Sequence, residues 1–91
     1  MFKHFLAEFL GTFLLVTAIL FTGKPLIIAA GFLLAISMIG ALSGGHINPA
    51  VSFVMAIKGD LPMGKLPVYI IAQLMGAYTA LVVYRGVKRA T

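Results

Sequence analysis

Apolar residues run almost unbroken along this chain, and the polar ones fall into a few short clusters. Three runs, Phe5–Thr22, Leu26–Leu42 and Leu66–Tyr84, hold seventeen to nineteen residues each. At about 1.5 Å per residue, each makes a helix of about 26–29 Å, close to the hydrocarbon thickness of a bilayer. A fourth run, Pro49–Ile57, has nine residues and makes about 13 Å of helix. A helix that short can enter a membrane and turn back, provided protein covers its backbone. Gly23-Lys24-Pro25 separates the first two runs, and Lys58 to Lys65 separates the short run from the last. The pattern predicts an all-α membrane protein with three transmembrane helices, at about residues 5–22, 26–42 and 66–84. It predicts one re-entrant half-helix at about 49–57. Tyr69 and Tyr84 are expected at the two membrane interfaces, and His4, beside Lys3, among the headgroups.

Composition narrows the class. The chain is 62% hydrophobic and 10% charged, with a mean hydropathy of +1.11. A soluble domain of 91 residues exposes too much surface to carry that balance. The net charge of +5 sits at the ends of apolar runs, where lipid headgroups explain it better than nucleic acid does. With no cysteine, there is no disulfide framework and no thiolate metal site. Glu8 and Asp60 are the only acids, and Asp60 reads as a loop residue. No motif for a metal, a nucleotide cofactor or covalent catalysis is present, so an enzyme is not expected. The first apolar run is longer than a signal-peptide core and contains Glu8, so it is read as mature structure.

The polar interruption Ala41–Phe53, ALSGGHINPAVSF, carries the candidate chemistry. Asn48 is a favoured N-cap and Pro49 suits the first helical position, so a helix is expected to start there. The Asn48 side-chain oxygen can accept from the N–H of Ala50 or Val51, which leaves its amide hydrogens free as donors. Upstream, Ser43 to Ile47 is expected to be extended, with Gly44 and Gly45 relaxing the backbone and carbonyls left unpaired. Two readings fit: an ordinary Asn-Pro turn outside the bilayer, or a re-entrant loop with its helix N-terminus at the midplane. Small residues at helical spacing (Ala7 and Gly11, Gly31 and Ala35, then Ala72, Gly76 and Ala80) favour close helix approach in lipid.

SGGHINPAVS resembles the first Asn-Pro-Ala loop of the aquaporin and glycerol-facilitator family. AEFLGTFLLV resembles that family's first helix with its glutamate, and YIIAQLMGA its third helix with its glutamine. The resemblance implies half of the aquaporin-like fold, as one half-channel domain over residues 1–91. It makes Asn48 a pore-lining donor, with Pro49 and Ala50 completing the motif. Gly44, Gly45 and His46 then lie on the carbonyl-bearing segment, and Glu8 and Gln73 brace the loop. His46 is expected to pack and hydrogen-bond rather than to sense pH. Val51 stands where the family's second half usually has an arginine, and Ile28 falls near a selectivity-filter position. Both substitutions imply a more apolar constriction.

The family's chain has two inverted halves, and this sequence shows one. If the N-terminus is cytoplasmic, Lys3, Lys58 and Lys65 lie inside and Lys24, Arg85, Lys88 and Arg89 outside. Three against four selects no orientation. A second copy inserted upside down is therefore the expected partner, with four such pairs making an octamer of halves around four pores. The implied function is a passive channel for water or small neutral solutes such as glycerol, multi-pass in a membrane, with lipids as its surroundings and no cofactor. The alternatives are a non-conducting half-channel that needs a different partner, and a proton-coupled transporter using Glu8.

Overall fold

The computed structural model describes residues 1–91. It contains helices α1 (Phe2–Thr22), α2 (Pro25–Ser43), α3 (Pro49–Lys58) and α4 (Leu66–Ala90), with a 3₁₀ turn at Met63–Lys65 leading into α4. There are no strands. Three of the helical stretches are long and apolar enough to cross a membrane, and α3 is apolar but too short to do so. The protein is a multi-pass, all-α membrane protein.

Local chemistry sets most of the boundaries. Proline stands at the first helical position of α2 and α3, where no hydrogen bond is lost. Gly23 and Gly44 close α1 and α2 in left-handed conformations, φ 63° and 92°, which side chains resist. Two helices run past the expected limits. α1 begins at Phe2, and α4 continues through Arg85, Lys88 and Arg89 to Ala90. The apolar run stops where the membrane environment stops. Arginine and lysine are good helix formers and suit a helix C-terminus, so the hydrogen-bonded spiral continues beyond it.

α1 sits centrally, packed most extensively against α4 and next against α2. His4 meets Tyr69, Glu8 meets Gln73 and Phe21 meets Tyr84, so α1 and α4 run parallel. The small residues are at these contacts: Ala7, Ala35, Ala72, Gly76 and Ala80 are all buried. A Cβ on Gly76 would collide with the Phe9 carbonyl of α1, so the two backbones approach as closely as the sequence permits. Ala7, Ala35, Ile39 and Ile47 form one apolar cluster, and Ala56, Leu61 and Tyr69 form a second beneath α3. Most of the remaining large apolar side chains face outward, as they must in lipid.

Two residues expected at the membrane interface are turned toward the protein. Tyr69 is buried, and its hydroxyl donates to the Ser43 carbonyl at 2.6 Å. His4 is half-buried, and its ring stacks on Tyr69 with centroids 6.1 Å apart. Tyr69 lies one turn into α4, level with the end of α2, on the face that packs against Ala56 and Leu61. Tyr84 is half-buried against Phe21, edge to face at 5.1 Å.

Candidate functional site

α2 ends and α3 begins on either side of Gly44–Asn48, a segment with no regular structure. It is not the extended strand expected. Ser43 still belongs to α2, Gly44 and Gly45 are left-handed, and Ile47 is the one non-glycine residue with positive φ, at 44°. A β-branched residue resists that conformation, at a cost on the order of 1–3 kcal/mol, so surrounding contacts must hold it. Ile47 is buried against Ala7, Ala35 and Ile39.

A buried carboxylate supplies the polar part of that hold. Glu8, fully buried one third of the way along α1, uses each oxygen twice. One accepts from the Ile47 N–H at 2.7 Å and the Gln73 amide at 2.9 Å. The other accepts from the Ser43 hydroxyl at 2.5 Å and the His46 N–H at 3.1 Å. The Gly45 N–H donates to Ser43 Oγ at 3.3 Å, and Gly44 N–H caps α2 on the Gly40 carbonyl. Every backbone N–H from Gly44 to Ile47 therefore has a partner on the protein side. No donor in the chain reaches the carbonyls of these same four residues. The segment turns its donors inward and leaves a row of four acceptors. Backbone in that state is stable at membrane depth only where it is covered by protein or lines water.

Asn48 then caps α3. Its side-chain oxygen accepts from the Ala50 N–H at 2.8 Å, and its backbone carbonyl accepts from Ser52. The side chain is exposed, and its amide nitrogen has no partner. The start of α3 carries the positive end of the helix dipole at the same point. Pro49 and Ala50 are exposed, and Val51 is half-buried one turn into the helix.

His46 packs as expected. Its Nδ1 lies 2.8 Å from Ser52 Oγ, and its ring tilts against Tyr69 at 4.9 Å. The Gln73 amide also reaches Ser52 Oγ at 2.8 Å, so Glu8, Ser43, His46, Ser52, Tyr69 and Gln73 form one connected buried group. Glu8 is buried in the interior of the bundle. Ser43, Ser52 and Tyr69 escaped the sequence reading, since serine and tyrosine are ordinary in membrane helices. The usable signal was Ser52 at position four after Asn48, on the side of α3 that faces His46.

Gly44, Gly45, His46, Asn48, Pro49, Ala50 and Val51 are thus brought together, with Glu8 and Gln73 behind them. Ile28 is not. It is half-buried in the first turn of α2, about 22 Å along the helix axis from Ser43.

The family model described as Major intrinsic protein matches residues 1–91. Aquaglyceroporin-2 of Rhizophagus irregularis is 45% identical over 87% of this chain, and human Aquaporin-9 is 40% identical over 93%. The probable glycerol uptake facilitator protein of Thermotoga maritima is 39% identical over 88%. The matched stretch spans 30%, 34% and 42% of these three relatives, respectively. With the braced loop, its capped half-helix and the flanking spans all inside the matched residues, the chain belongs to the major intrinsic protein family.

Proposed function

We propose that this chain forms one half of a passive channel for water and small neutral solutes such as glycerol. The family is one of channels rather than enzymes, and the relatives include an aquaglyceroporin and a glycerol facilitator by name. The observation that carries the reading is the one-sided loop. Four unpaired carbonyls lead to the free Asn48 amide at the start of a half-helix. A neutral polar solute can exchange part of its hydration for these groups, donating to the carbonyls and accepting from Asn48. A cation can use the carbonyls but is repelled at the start of α3, where the positive end of the helix dipole and the Asn48 amide hydrogens face the path.

The finer reading has residues 1–91 act as one half-channel domain. Glu8 and Gln73 brace the loop, while Asn48, Pro49, Ala50, Val51, Gly44, Gly45 and His46 line or shape the path. Ile28 contributes to an apolar constriction nearer the membrane surface. A second copy in inverted orientation covers the open side, bringing the two Asn48 residues together at the midplane. A water accepting from both asparagines has its lone pairs occupied and cannot relay a proton onward. Four such pairs make the octamer of halves. Because Val51 supplies no cationic donor, glycerol passes as well as water.

The test is solute-driven volume change in liposomes containing this chain alone. Water and glycerol permeability above that of empty liposomes is expected, and Asn48→Leu should return both to the lipid baseline. Permeability at baseline for the unmodified chain would sink the reading in favour of a non-conducting half. Cross-linking between cysteines introduced near residue 48 on two copies reports the inverted pairing.

A further inference from the structure

A second candidate site lies at the far end of the bundle, on the last two turns of α4. Arg85, Lys88 and Arg89 project there around Tyr84, lining an open cavity of about 350 Å³. The Lys88 ammonium sits 5.8 Å from the centre of the Tyr84 ring. Phe21 also packs on that ring, edge to face with centroids 5.1 Å apart. Arg89 Nε donates to the Arg85 carbonyl at 3.2 Å, which folds its side chain back toward Arg85 and leaves the rest of the guanidinium free. Lys24, three residues beyond Phe21, adds a fourth cation at this end.

No acid balances them. The two acidic residues both lie toward the opposite end: Glu8 is buried under the loop, and Asp60 pairs with Lys58 at 2.8 Å. Four cations without an acid among them give this end of the bundle a positive field that attracts anions. Helix periodicity shows where its apolar part would go. At 100° per residue, Tyr78 and Val82 fall on the same stripe of α4 as Arg85 and Arg89, one to three turns toward the bilayer. Both are exposed. The stripe is therefore apolar within the membrane and cationic at its edge.

We infer that this surface is a binding site for an anionic phospholipid, with its phosphate between Arg85, Lys88 and Arg89 and an acyl chain along Tyr78 and Val82. Arginine pairs with phosphate oxygens through two parallel donors, and lysine adds a point charge. The Tyr84 ring fixes the depth of the headgroup, as aromatic residues do at membrane interfaces. Continuity of apolar and cationic surface selects a lipid over a free phosphate ion, which has no use for the valine and tyrosine. The site is independent of conduction and stands whether or not the chain forms a pore.

Native mass spectrometry of the detergent-purified protein tests it. The protein is exposed to equal phosphatidylglycerol and phosphatidylcholine, and retained lipid is counted. Retention is expected to favour phosphatidylglycerol, by about fivefold for each participating basic residue. Arg85→Gln/Lys88→Gln/Arg89→Gln should abolish the preference. Arg85→Lys/Arg89→Lys should keep most of it, and Lys3→Gln/Lys65→Gln at the opposite end should leave it intact. Equal retention of the two lipids would overturn the site, as would loss of the preference in the opposite-end variant. Complete displacement of the lipid by millimolar inorganic phosphate would also overturn it, since the acyl chain would then contribute nothing. Lys3, Arg85, Lys88 and Arg89 are exposed and Lys65 is half-buried, so the variants are expected to fold.

Discussion

The chain makes two helix-to-helix connections from nearly the same parts, and they end in different structures. Gly23-Lys24-Pro25 joins α1 to α2, and Gly44 to Pro49 joins α2 to α3. Each opens with a left-handed glycine and passes through a β-region N-cap, Lys24 at φ −85° and Asn48 at φ −157°. Each closes with proline at the first helical position. The first is exposed, and a Cβ on Gly23 would meet nothing within 4 Å. The second holds buried His46 and Ile47 and is bonded to residues as distant as Glu8. The same terminal signals, a left-handed glycine and a leading proline, thus bound an exposed turn in one place and a buried, cross-braced loop in the other. The difference is a carboxylate on another helix that takes up the backbone donors.

Removing that carboxylate is the strongest way to break the contrast. Glu8→Ala leaves the buried His46 and Ile47 N–H groups with no acceptor, and leaves Ser43 Oγ and the Gln73 amide only their second ones, the Ile39 carbonyl and Ser52 Oγ. Each abandoned buried donor costs about 1–3 kcal/mol, so a loss of more than about 3 kcal/mol is expected in detergent unfolding. Lys24→Ala in the surface turn should shift stability by less than about 0.5 kcal/mol. Glu8→Gln, which keeps an acceptor oxygen, should fall between them. Equal effects for Glu8→Ala and Lys24→Ala would contradict the bracing role.

The two cap glycines sharpen the comparison at a smaller scale. Alanine at either must adopt a left-handed backbone, at about 1–2 kcal/mol. At Gly44 the added Cβ also stands 3.2 Å from His46 Nε2. Gly44→Ala should therefore unfold at lower denaturant than Gly23→Ala, and coincident midpoints would remove His46 from the loop's packing. Smaller again is Asn48→Ala, which loses the bond to the Ala50 N–H at about 1 kcal/mol. Lys24 makes no such side-chain bond, so its alanine variant serves as the matched control.

Ile47→Gly should cost less than the burial of its side chain implies. It forfeits a buried side chain worth about 2–5 kcal/mol but relieves a positive φ costing about 1–3 kcal/mol. Ile39→Ala, in the same cluster at a helical position, should cost about 2–5 kcal/mol. If the two variants proved equally destabilised, the Ile47 backbone would not be strained.

Much of the site was legible because its signals are local. Asn48-Pro49 announces a capped helix through side-chain and ring chemistry acting within three residues, and the nine-residue run Pro49–Ile57 sets the length. Glu8 and Gln73 stood out because a polar group inside an apolar run needs a partner. Ser43, Ser52 and Tyr69 were not legible in that way. Their partners lie on other elements, such as Tyr69 hydroxyl to Ser43 carbonyl across twenty-six residues, and nothing in their own surroundings marks them. Tyr69 stood out only as a tyrosine near the start of an apolar run, and its burial follows from contacts on other elements.

The order of apolar runs and breakers determined the helices, the membrane setting and the short helix that cannot cross. Those properties follow from hydrophobic length and from backbone chemistry within one turn. The tertiary structure alone decided which face of Gly44–Ile47 is satisfied. A backbone segment carries donors and acceptors in equal number, and only the placement of Glu8 against it selects the donors and leaves the carbonyls open.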